Sequence, residues 1–168
     1  MDKGARGVIE KLLYLIDYYD LYGKVAYPKS HDPEEVPEIY KWAASSRGIF
    51  VNPAAVEPLG FTLIEAGACG VPVVATNDGG PREILKKCQN GVLVDQFECK
   101  KLGRKLVSAL QDRDRWKKWS ENGIRGVEEN YAWKSHAAKY EQAIQRVGMK
   151  RRENGRTRKR IRRPGAIR

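Results

Sequence analysis

At 168 residues, 41% hydrophobic and 32% charged, the chain is long enough for one domain with a core of its own. No apolar run approaches the ~20 residues a spanning helix needs, and Met1–Arg6 lacks the charged-then-apolar layout of a signal peptide, so the sequence predicts a cytoplasmic protein with no membrane partner. The net charge of +11 resembles a nucleic-acid signal until it is located: residues 149–168 hold ten Lys and Arg against the single Glu153, nine of the eleven net charges.

In chain order, Val8–Tyr19 carries Val8, Leu12, Leu15, Ile16 and Tyr19 at helical spacing, and Gly23 ends it. Val25-Ala26-Tyr27 reads as a short strand closed by Pro28. Val36–Ala44 reads as a helix after Asp32-Pro33-Glu34-Glu35. Gly48–Val51 is expected as a buried strand, closed by Asn52-Pro53. A helix over Thr62–Ala68 stops at Gly70, Pro72–Thr76 is strand-like, and Arg82–Lys87 is a short helix. Val92–Val94 is a strand after Asn90-Gly91. Three helices follow, over Glu98–Gln111, Asp114–Tyr131 and Trp133–Val147. Short apolar runs alternating with amphipathic helices imply a Rossmann-like α/β fold, a parallel sheet with helices on both faces. Such sheets bind ligands at the carboxyl ends of their strands, so the residues after Tyr27, Val51 and Thr76 draw attention.

Cys69, Cys88 and Cys99 form no close pair, and His31 and His136 complete no zinc spacing; reduced structural thiols are expected, and no metal. The four tryptophans fall among helices and read as packing. Gly79-Gly80-Pro81 reads equally as a loop set against a crevice and as an ordinary strand-to-helix turn.

The stretch from Asn52 to Ala66 follows a strand and opens a helix, with Gly60 at the junction. First-turn amides and the helix dipole make such a junction a phosphate site, and glycine lets the backbone come close to an anion. Glu57 and Glu65 are spaced E-x7-E, one in the loop and one in the helix. A carboxylate accepts from two neighbouring hydroxyls, which suits a sugar ring or a ribose diol. Two acids facing a diphosphate also repel it, so a cationic partner is required. A structural alternative stands beside this: Thr62-Leu63-Ile64-Glu65 is a capping box, and Glu57 a solvated loop residue.

From about Val8 to Val147 the chain resembles the C-terminal domain of GT-B retaining glycosyltransferases, and most of all that of sucrose-phosphate synthases. The pieces that carry the likeness are Tyr19–Lys29 (YDLYGKVAYPK), Val51–Pro58 (VNPAAVEP), Thr62–Ala66 (TLIEA) and Val74–Pro81 (VATNDGGP). The resemblance implies that Glu57 hydrogen-bonds the donor glucose near the transferring carbon and is the catalytic residue carried over. It implies that the backbone of Gly60, Phe61, Thr62 and Leu63 cradles glucose and diphosphate, that Glu65 grips the ribose hydroxyls of UDP, and that Tyr27, Pro28 and Lys29 lie near the uracil edge. The implied reaction takes UDP-glucose and fructose 6-phosphate to sucrose 6-phosphate and UDP, with no cofactor or catalytic metal. The family's diphosphate-neutralising Arg and Lys, its catalytic histidine and its acceptor-binding N-terminal domain match nothing in this sequence. That domain is therefore an expected partner, and the chain alone is expected to be an inactive fragment.

Residues 1–148 are thus expected to be a UDP-sugar-binding domain, incomplete at its N-terminal edge, and 149–168 a basic, disordered tail with opportunistic polyanion binding. Two further functions stay open: another sugar-nucleotide transferase of sucrose-synthase or mannosyl-fructose-phosphate type, and a non-catalytic basic-tailed binding protein.

Overall fold

The computed structural model describes residues 3–28, 30, 32–95 and 99–161. The chain divides into two compact units, residues 1–36 and 37–168. In the first, α1 covers Lys3–Tyr18, with Ile16 buried and Tyr14, Tyr18 and Tyr19 exposed. Tyr22 donates to Asp17 Oδ1 at 2.8 Å and closes the turn that follows. The strand expected over Val25–Tyr27 does not form; these residues are irregular. Three exposed residues ended by a proline have neither a ladder partner nor a face to bury, so the apolar run alone does not make a strand.

The second unit is built on a three-stranded parallel sheet in the order β1-β2-β3, with β1 Phe50–Asn52, β2 Val73–Thr76 and β3 Gly91–Val94. Phe50 pairs with Val73 and Val73 with Gly91, so the three strands start level. All four residues of β2 are buried, as a central strand covered on both faces requires. Strand β1 begins two residues later than the sequence suggests. Gly48 is spent on closing α2 (Val36–Ser45), its amide donating to Ala43 O at 2.6 Å.

Helix α3 (Phe61–Ala68) connects β1 to β2, and α4 (Gly79–Cys88) connects β2 to β3. Two right-handed crossovers stepping the same way along the sheet put both helices on one face. Leu63 and Ala66 of α3 meet Ile84, Leu85 and Cys88 of α4 there, over Val73 and Ala75. Helix α4 starts three residues earlier than expected because Asp78 is its N-cap and Pro81, which needs no amide partner in a first turn, fits the start.

Helix α5 (Cys99–Gln111) is followed by α6 (Arg113–Asn130), whose start is fixed by Asp112 accepting from the Arg115 amide at 2.9 Å. Trp116 of α6 donates its indole N–H to Gly48 O at 2.9 Å, tying α6 to the entrance of β1. Trp42 and Trp133 are exposed. The last helix, α7, covers Trp133–Ile161, where the sequence ends it at Val147. Lys and Arg are good helix formers, so the basic run continues the helix across residues 148 and 149. Residues 162–168 lie outside the described part.

Candidate functional site

The carboxyl ends of β1 and β2 open onto one loop region. Asn52, the last residue of β1, donates from Nδ2 to Glu57 Oε2 at 3.2 Å and accepts from the Ala54 amide at 3.0 Å. The other Glu57 oxygen accepts from the Gly60 amide at 2.9 Å. Glu57 is therefore no free solvated loop residue; it is half-buried and clamped at both oxygens. Gly60 is the N-cap of α3 with φ of 79°, the left-handed region, and it is buried. A Cβ there would sit 3.0 Å from Ile84 Cδ1, so strain and space both ask for glycine.

With Gly60 as the cap, Thr62 is the second residue inside the helix. The capping box read from Thr62-Leu63-Ile64-Glu65 does not form, because no cap is left for Glu65 to answer. Glu65 is exposed, and its carboxylate makes no hydrogen bond or ion pair among the described residues. Of the four expected cradle residues, Gly60 gives its amide to Glu57 and Leu63 gives its amide to Gly60 O at 3.0 Å. The amides of Phe61 and Thr62 have no partner among the described residues and point out of the first turn. The Leu63 side chain is fully buried in the core, whereas the Phe61 ring, with Val56 and Leu59, is exposed at the rim.

The loop is braced from β2 and α4. Gly80 donates to Glu57 O at 2.9 Å, and a Cβ on Gly79 would meet the same oxygen at 2.6 Å. The Gly79-Gly80 turn thus sets the Glu57 loop in place. Arg82 donates to Asn77 Oδ1 at 3.1 Å and to Asn77 O at 2.9 Å, holding a cation at the carboxyl end of β2. From α2, Tyr40 donates to Thr62 O at 3.3 Å; burial first, then the nearby Glu65 carboxylate, raises its phenol pKa.

Glu57, Gly60, Phe61, Thr62, Leu63 and Glu65 all belong to the second unit. Tyr27 and Pro28 belong to the first, and Lys29 lies outside the described residues. Asn52 and Tyr40 went unassigned from sequence. A polar residue ending a buried strand was a usable signal for Asn52, and nothing in the local pattern marks Tyr40. Among the described residues no cluster of His, Cys, Asp and Glu could hold a metal ion, and no helix is long and apolar enough to cross a membrane.

The family model described as glycosyl transferases group 1 matches residues 5–126. The chain belongs to this family. Among similar proteins, the rice (Oryza sativa subsp. japonica) probable sucrose-phosphate synthase 5 is 48% identical over 140 residues, 83% of this chain and 14% of that protein. The chain spans about one-seventh of the length of such curated relatives. Among solved structures, the sucrose-phosphate synthase of Thermosynechococcus elongatus matches with a TM-score of 0.64 at 24% identity, over 83% of this chain and 34% of that one. HepE from Anabaena, solved in complex with UDP, matches at 0.71 with 19% identity, over 86% of this chain and 38% of that one. These structural likenesses show the fold: the parallel sheet and helices of this group 1 transferase are those of a GT-B glycosyltransferase.

Proposed function

We propose that the chain is the donor-binding part of a retaining glucosyltransferase of sucrose-phosphate synthase type. It takes UDP-glucose in the cytoplasm, and the glucose passes to fructose 6-phosphate with release of UDP. The observation that carries the reading is the start of α3, where two open amides stand between a clamped carboxylate and a free one. The Phe61 and Thr62 amides, with the helix dipole behind them, receive the diphosphate. Glu57, its orientation fixed by Asn52 and Gly60, keeps lone pairs for a glucose hydroxyl near the transferring carbon. Glu65 has both oxygens available for the ribose hydroxyls. A donor in this position needs its leaving diphosphate stabilised electrostatically, and the reading calls for no cofactor beyond the donor itself. In this reading the acceptor site belongs to an N-terminal transferase domain and the remaining cations to the opening segment of the donor-binding domain; none of them matches this sequence, so the chain alone binds donor without turnover. The likeness to sucrose-phosphate synthases over 140 residues and the UDP in the HepE structure both support the reading.

Titration calorimetry of UDP into the full chain tests it. Glu65→Ala is expected to weaken binding by about tenfold, the worth of a hydrogen bond to a charged group. Because Glu65 is exposed, the variant should melt with the parent. Unchanged UDP affinity in Glu65→Ala removes Glu65 from the site, and no UDP binding by the parent removes the reading.

A further inference from the structure

The parallel strands give the sheet two distinct ends, amino and carboxyl. Asn52 and Thr76 end β1 and β2 at the carboxyl end just described, whereas Gly91 and Val92 begin β3 at the opposite, amino end. There a cleft of about 710 Å³ opens between α5, α6 and the start of β3. Arg104 and Lys105 enter it from α5, Arg115 and Lys118 from α6, with Ser108 and the Trp119 indole between them. None of the lining residues is acidic.

Most of this positive charge is unanswered. Asp112 is the one carboxylate paired with a lining cation among the described residues; one of its oxygens pairs with Arg115 at 3.0 Å and the other caps α6. Lys105 spends one N–H on Leu93 O at 2.7 Å, and Arg104 reaches only the Lys100 carbonyl, at 3.4 Å. Lys118 makes no hydrogen bond or ion pair among the described residues. The Arg115 guanidinium lies 5.8 Å from the centre of the Trp119 ring, which restricts where it can point. Four cations converging on one cleft repel one another, and a bound anion relieves that repulsion. Residues 1–148 are otherwise close to neutral, so the cluster is a local arrangement rather than a share of a basic surface.

We propose that the cleft between α5 and α6 binds a small phosphate-bearing anion, at a site separate from the Glu57 and Glu65 crevice. The Arg104 guanidinium fork fits phosphate oxygens two at a time, the ammonium groups of Lys105 and Lys118 add point charges, Arg115, held by Asp112 and Ser108, adds a fixed positive charge, and the Ser108 hydroxyl adds a neutral donor. The volume accepts a molecule the size of a sugar phosphate or a nucleotide and is too small for a duplex. The proposal stands independently of the donor reading, because it uses other residues at the other end of the strands.

The test is an amide-resolved NMR titration of the full chain with inorganic pyrophosphate, and in a separate arm with a Glu-rich peptide. Pyrophosphate is expected to shift the amides of residues 104–108 and 115–119 saturably, and the peptide to leave them in place. Arg104→Gln with Lys118→Gln should weaken pyrophosphate by about tenfold at these amides, whereas Glu65→Ala should not change it there. Both side chains are exposed, so the double variant should fold; if it does not, Lys118→Gln alone must move affinity in the same direction. Shifts confined to residues 60–63 or to 149–168 overturn the proposal. So does undiminished affinity in the variants, or a peptide that outcompetes pyrophosphate in the cleft.

Discussion

Glu57 and Glu65 stand eight residues apart, and their surroundings give them different work. Glu57 is tied to Asn52 Nδ2 and the Gly60 amide, so under the proposed reading a donor hydroxyl would meet an acceptor already aimed, with no rotamer to freeze on binding. Glu65 has no such tie. Under the proposed reading its contribution to a UDP complex would be a new hydrogen bond, with a side-chain entropy cost set against it. Cys88 shows the same dependence on surroundings in a purely structural group. Burial among core residues pushes its thiol from 9.0 up to about 11. Between those values the folded chain holds a proton that the unfolded chain releases, so the thiol's contribution to stability is complete below pH 9 and is lost as pH rises toward 11. Urea midpoints measured at pH 8 and pH 10 should therefore fall more steeply with pH in the parent than in Cys88→Ala. Equal slopes would contradict the burial account.

At the level of elements, the crevice depends on two loops packing backbone to backbone. A Cβ on Gly80 would run into the Leu59 carbonyl, and neither loop has a flexible side chain there to give way. Gly80→Ala should cost about 2 kcal/mol of stability through overpacking and should weaken UDP binding by displacing the Glu57 loop. Gly103 makes the matched control: it lies inside α5 with nothing within 4 Å of a Cβ, so Gly103→Ala should gain about 1 kcal/mol from helix propensity. Chemical denaturation of both variants reads the contrast, and a Gly80→Ala chain as stable as the parent would contradict the packing account. The same contrast shows what sequence could and could not reveal. The two βα turns were legible because apolar runs, Gly60 and Gly79-Gly80 mark strand ends and helix starts locally. The clamp on Glu57 was not legible, since it joins Asn52, Gly60 and Gly80 through space that only the folded loops define. Val25–Tyr27 misled because a strand needs a neighbour, and apolar residues do not reveal whether one exists. The capping box misled for a related reason: Gly60 holds the cap two residues earlier than the threonine pattern indicates. The α5–α6 cleft escaped because its cations lie on two helices and converge only in the fold.

The whole molecule separates its charge from its site. Nine of the eleven net positive charges lie in residues 149–168, while the crevice is built from residues of the second unit between Asn52 and Arg82. Helix α7 is exposed from His136 to Met149, and the crevice uses no residue beyond Arg82. The deletion should leave UDP affinity unchanged. Its effect on nucleic acid should be large, because a basic segment without aromatic residues binds phosphate backbones by releasing counterions and has nothing on which to stack bases. For the full chain, log affinity for duplex DNA should fall linearly with log salt, with a slope of about −0.9 for each phosphate neutralised, and should be indifferent to sequence. Filter binding across a salt series, on the full chain and on one ending at Gly148, measures both properties beside a UDP titration of each. Loss of DNA binding with UDP binding retained assigns the charge to the terminal segment and leaves the body a sugar-nucleotide module. Salt-resistant or sequence-selective DNA binding that survives the deletion would move nucleic-acid recognition into the body, and the donor-binding reading would then have to be abandoned.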